Sequence, residues 1–154
     1  MWRTLIRALV IVGVGLTLGL AANTVSPKRI PFIRPPPKAP QPGEMLTLEE
    51  AKAIWEGNAA FFLDARAPAD YEAGHIANAF NLPAEAFDEH FPQVAPMLST
   101  ERAIVVYCDG EECDLSHHLV DKLRERNFRN VRILRNGWTV WRTAGLPTLT
   151  GSQK

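Results

Sequence analysis

Hydrophobic and polar positions divide the chain into three stretches. The first is an uncharged run over residues 8–25, ALVIVGVGLTLGLAANTV, whose strongly apolar core covers 8–22. It has no polar face, so a buried helix of a soluble domain is disfavoured. Fifteen apolar residues suit a signal-peptide core or a short membrane span. In the second stretch, residues 27–43, seven of seventeen residues are proline. That density predicts an extended spacer. The third stretch, from Met45 onward, alternates short apolar runs with amphipathic ones.

Within this third stretch the pattern predicts particular elements. Thr47 with Glu50 three residues later forms a capping box ahead of a helix over 48–57. AFFLD at 60–64 reads as a buried strand. Residues 83–98 hold a helix with a proline break. AIVVY at 103–107 is β-branched and wholly apolar, which predicts a strand central in its sheet. A helix over 116–127 places Leu115, Leu119 and Leu123 on one face. A strand over 131–134, a turn at Asn136-Gly137 and a helix over 138–144 stopped by Gly145 complete the body. Strands alternate with helices, so the fold class is α/β: an open, mainly parallel sheet flanked by helices and preceded by an N-terminal hydrophobic helix. The expected organisation is a signal anchor or signal peptide over 1–26, a linker over 27–44, a domain over 45–148 and a tail over 149–154.

Charge balances at 17 against 17 overall but not locally. Residues 1–44 hold six Lys or Arg and one acid, whereas 45–154 hold 11 and 16. The acidic body argues against nucleic acid as a partner. Arg3 and Arg7 before the apolar run favour a cytoplasmic N-terminus. Lys28, Arg29, Arg34 and Lys38 pull the other way. The reading adopted is a single-pass protein of the cytoplasmic membrane, held by its N-terminal helix, with an extracytoplasmic or periplasmic domain.

The chain has two cysteines, both in the run VVYCDGEECDLS at 105–116. Cys108 ends the central strand, where ligand sites of open α/β sheets collect. The loop then runs through Asp109, Gly110, Glu111, Glu112 and Cys113 to a helix, with Asp114 or Ser116 as its cap. A tight loop turns its amides toward the Cys108 sulfur. With the helix dipole they stabilise a thiolate even without a cationic side chain nearby.

Three stretches resemble one family. They are Asp64-Ala65-Arg66 followed by ADYEAGHIANAFNLP at 69–83, IVVYC ending at Cys108, and VRILRNGWTVWRTAGLPT at 131–148. In this order they are similar to a single rhodanese-like domain, over about 45–147. The resemblance implies a sulfurtransferase whose catalytic nucleophile is Cys108. It would take sulfane sulfur as a persulfide and pass it to a thiol or another acceptor, using no cofactor. The six-residue loop fits sulfurtransferases. Related phosphatases use a longer loop closed by an arginine, and here the sixth residue after Cys108 is Asp114.

The loop departs from the family in its charge. Asp109, Glu111, Glu112 and Asp114 repel a dianion such as thiosulfate and oppose ionisation of Cys108. A low-molecular-weight persulfide, a neutral or cationic donor, or a protein thiol partner with a basic patch fits better. Cys113 is a candidate resolving cysteine, which opens an alternative as a dithiol–disulfide redox protein. A non-catalytic binding module is the remaining alternative. Arg66 is a candidate substrate-approach residue, set against a structural pairing with Asp64. No metal site is expected: His117 and His118 are adjacent on a helix and point about 100° apart. His75 reads as structural, Trp138 and Trp141 as core and pocket wall, and the arginines of 124–135 as a solvated face.

Overall fold

The computed structural model describes residues 2–25, 44–110 and 114–152. Helix α1, Trp2–Val25, forms a unit separate from the body. It is longer than its apolar core, continuing through residues 2–7 before the core and 23–25 after it. The stretch Trp2–Asn23 has a mean hydropathy of 2.2, and its apolar window holds no buried residue. At 1.5 Å per residue, its 22 residues reach about 33 Å, so it is long and apolar enough to cross a bilayer. The expected linker, 27–44, lies outside the described residues except for Glu44.

The body runs β1 (Met45–Leu46), α2 (Leu48–Glu56), β2 (Ala60–Asp64), α3 (Pro68–Ala73), β3 (His75–Ile76), β4 (Phe80–Asn81), α4 (Phe87–Val94), β5 (Ala103–Tyr107), α5 (Asp114–Glu125), β6 (Val131–Leu134), α6 (Gly137–Thr143) and β7 (Thr148–Leu149). A 3₁₀ turn, Ala95–Met97, extends α4. Five strands form one sheet in the order β1-β6-β5-β2-β4, and every pairing in it is parallel. β3 and β7 make a separate antiparallel pair. The apolar β5 is the middle strand, as its composition requires.

Side chains of β5 alternate between two cores. Ile104, Val106 and Cys108 pack with Phe87 of α4 and with Leu119, Val120 and Leu123 of α5. Val105 and Tyr107 pack with Ala51 of α2 and with Trp138 and Trp141 of α6. Helices therefore cover both faces of the sheet. Trp141 is fully buried and meets Trp55 edge-on at 5.8 Å. Its indole N–H donates to Pro147 O at 2.9 Å, which fastens the C-terminal segment to the second core.

The capping box forms as its spacing requires. The Glu50 amide donates to Thr47 Oγ1 at 3.2 Å, and the Thr47 amide donates to Glu50 Oε2 at 2.8 Å. Helix α5 already includes Asp114 and Ser116, so neither residue is its N-cap. Asn136, not a glycine, carries the left-handed turn before α6, at φ 48°. Gly137 is required for a different reason: a Cβ there would lie 2.6 Å from Tyr107 Cβ.

Candidate active site

Cys108 follows the last residue of β5, at the carboxyl edge of the parallel sheet. Parallel strands bring the ends of β2 and β5 together, with Asp64 beside Tyr107. The loops after both strands therefore meet at this edge. The Cys108 carbonyl accepts from the Trp138 amide at 3.1 Å, so the first turn of α6 holds the strand end in place.

At the end of β2, beside the end of β5, lies a buried polar network. Asp64 is fully buried and Arg66 is 6% exposed. Arg66 Nη2 donates to Asp64 Oδ2 at 2.6 Å and to Gly74 O at 2.7 Å, while its Nε bridges both Asp64 oxygens. The guanidinium lies 4.8 Å from the Trp138 ring centroid. Burial works against the Arg66 charge, but the hydrogen bonds and charge of Asp64 outweigh it. Tyr107 and Asp109 add to that effect, and the pKa stays above its ordinary value. The Tyr107 hydroxyl accepts from the Ile76 amide at 3.1 Å. Burial, followed by the Asp64 charge, pushes its pKa well above the usual tyrosine value. Asp64 and Arg66 do pair, the structural alternative to a substrate-approach role for Arg66. The Asp109 charge reaches this guanidinium, so a cation stands within electrostatic range of a loop read as having none.

The start of the loop is tied to α6. Gly110, at φ 88°, donates its amide to Asn136 Oδ1 at 2.9 Å and to Asp109 Oδ1 at 3.0 Å. Asp109 Oδ1 also accepts from Thr139 Oγ1 at 2.5 Å. The expectation that the loop amides converge on the Cys108 sulfur therefore fails at Gly110, because two side-chain oxygens capture this amide. Asn136 and Thr139 were not among the candidate residues. The only signal for Asn136 was an asparagine in a turn, a residue whose side chain commonly bonds nearby backbone.

Cys108 is 2% exposed and disulfide-bonded, and no free cysteine occurs among the described residues. The chain has one other cysteine, Cys113. Cys113, Glu111 and Glu112 lie outside the described residues.

The remaining candidates fall away from the site or support it. His75 is buried, its Nδ1 lies 2.8 Å from Tyr71 O, and its ring stacks on Tyr71 at 3.7 Å, which is a structural role. Trp138 and Trp141 both belong to the second core. In the arginine-rich stretch, Arg124 pairs with Glu44 at 3.0 Å and Arg126 with Asp88 at 3.0 Å.

Comparisons with known proteins bear on this arrangement. The family model for the rhodanese-like domain matches residues 47–144. The chain is 32% identical over 111 residues to the HTH-type transcriptional regulator Rv0324 of Mycobacterium tuberculosis, covering 72% of this chain and 47% of the regulator. It is 32% identical over 112 residues to the tRNA uridine(34) hydroxylase of Sodalis glossinidius, covering 68% of this chain and 31% of the hydroxylase. The chain thus spans less than half the length of either relative. Among solved structures, the rhodanese-like domain of the Alr3790 protein from Anabaena sp. superposes with a TM-score of 0.56 at 28% identity, covering 71% of this chain and 80% of that domain. The thiosulfate sulfurtransferase of Pseudomonas aeruginosa shares the fold, with a TM-score of 0.54 at 23% identity over 71% of this chain and 21% of that protein. The sheet order, the cysteine at the end of the central strand and the family match agree: the chain belongs to the rhodanese-like domain family.

Proposed function

We propose that this chain is a sulfurtransferase that carries sulfane sulfur on Cys108. The observation that carries the reading is the position of Cys108, at the carboxyl end of the central strand and before the 12-residue helix α5. The Cys108 thiolate attacks the outer sulfur of a low-molecular-weight persulfide, R–S–SH. A new S–S bond forms on Cys108, the donor's S–S bond breaks, and R–S⁻ leaves. An acceptor thiolate then takes the outer sulfur and Cys108 thiolate returns. The carboxylates of Asp109, Glu111, Glu112 and Asp114 weigh against thiosulfate as donor. Arg66 supports the site through its pairing with Asp64, within electrostatic range of Asp109. We further propose that α1 anchors the domain to the cytoplasmic membrane on its outer side.

A second reading rests on the disulfide. Cys113 thiol attacking a Cys108 persulfide would release H₂S and leave a Cys108–Cys113 disulfide, with no outside oxidant. An external dithiol would restore both thiols. This makes Cys113 a resolving residue and the disulfide a resting form.

The test measures sulfur delivery to a thiol acceptor by the reduced, full-length protein. A persulfide donor should support turnover and thiosulfate should support far less, and Cys108→Ser should abolish transfer. Transfer that survives in Cys108→Ser would sink the proposal.

A further inference from the structure

Ser116 is an anomaly in the core. It lies in the first turn of α5 and is 1% exposed. Its Oγ is the one buried side-chain polar atom without a hydrogen-bond partner among the described residues. A serine within a helix ordinarily turns to the carbonyl three or four residues back or to water. An unpartnered buried hydroxyl opposes folding, so each case calls for a reason. Capping does not supply one, because Ser116 is already inside the helix. Alanine would pack at this position without that penalty.

The two cores indicate where the hydroxyl sits. Ser116, Leu119, Val120 and Leu123 are the buried residues of α5, spaced as one helical face. Leu119, Val120 and Leu123 pack in the same core as Ile104, Val106 and Cys108. In a strand–loop–helix unit the helix returns antiparallel to the strand. That topology brings the core residue just after β5, Cys108, toward the first buried residue of α5, Ser116. In the disulfide form the Cys108 sulfur is neutral and a weak acceptor. A thiolate or persulfide anion is a strong one.

We propose that Ser116 is a catalytic residue whose hydroxyl donates a hydrogen bond to the Cys108 sulfur once that sulfur is a thiolate or a persulfide anion. The hydroxyl is then an orphan only in the resting disulfide and gains its partner on reduction. This deepens the sulfur-carrier reading and rests on it for the persulfide. The thiolate contact can be tested with no sulfur donor.

The experiment follows alkylation of Cys108 by iodoacetamide against pH, read by peptide mass, in the reduced full-length chain carrying Cys113→Ser. Ionisable groups on the surrounding elements are Tyr107 and Asp109 beside Cys108, Asp64 at the end of β2 and Arg66 after it, Asp88, Glu89 and His90 on α4, Arg142 on α6, and Asp114, His117 and His118 on α5. All variants share them, so differences isolate the hydroxyl. Ser116→Ala should move the midpoint upward and slow alkylation near neutral pH roughly tenfold. Ser116→Thr should stay near the parent. With Cys113 retained, Ser116→Ala should shift the equilibrium with an external dithiol toward the disulfide, again roughly tenfold. If Ser116→Ala does not fold, the pair Ser116→Thr and Ser116→Val differs only in the hydroxyl and should show the same contrast. Equal midpoints with and without the hydroxyl in folded proteins would overturn the proposal. A normal Ser116 effect with no sulfur transfer would instead count against the sulfur-carrier reading alone.

Discussion

Asp64 and Arg66 bury opposite charges two residues apart, and each depends on the other. Such a pair contributes little net stability, but breaking it leaves a bare charge in the core. Asp64→Ala should therefore cost about 3–5 kcal/mol in urea unfolding. A loss below about 1 kcal/mol would mean that the guanidinium escapes to water. Gly137→Ala tests a steric limit. Its new methyl would meet Tyr107 Cβ at 2.6 Å, so about 1–3 kcal/mol should be lost. Stability equal to wild type would show that α6 can move away from β5. The pairing of Asp64 with Arg66 was legible as opposite charges close together in the sequence. The constraint on Gly137 was not, because it comes from a side chain thirty positions earlier. The capture of the Gly110 amide by Asn136 was hidden for the same reason.

Helix α2 starts on side chains that the sequence displays openly. Thr47→Ala should cost about 1 kcal/mol. The Glu50 pKa is lowered, first by the Thr47 backbone amide and then by its hydroxyl. A carboxylate with a lowered folded pKa contributes above its unfolded pKa, and the contribution fades as pH falls through the folded one. The stability gap between wild type and Glu50→Ala should therefore narrow on acidification below the ordinary glutamate range, as thermal unfolding would report. A gap that widens there would contradict the capping role. Elements with a clear helical period or a continuous apolar run were legible: α2, β2, β5, α5, β6 and α6 all fall within two residues of expectation. The two-residue strands β1, β3, β4 and β7 were not, because two residues show no period and pairing alone defines them. Helix α3 is six residues long, too short for an apolar stripe to register.

For the molecule as a whole, the α/β class and the central place of β5 were readable, because a wholly apolar strand has to be central. That in turn placed Cys108 at the edge where chemistry collects. Its disulfide-bonded state was not readable, because a five-residue spacing permits a bond without requiring one. Helix α1 carries the proposed anchor. Full-length protein should stay with membranes through an alkaline wash and leave them in detergent, and release by the wash alone would remove the anchor from the account. The central claim is that Cys108 holds transferable sulfur. It is tested most directly by mass analysis of the reduced full-length chain after exposure to a low-molecular-weight persulfide, with peptide mapping. The account predicts one added sulfur atom on the Cys108 peptide, lost on treatment with a thiol and absent in Cys108→Ser. No added sulfur, or sulfur that persists in Cys108→Ser, would contradict it.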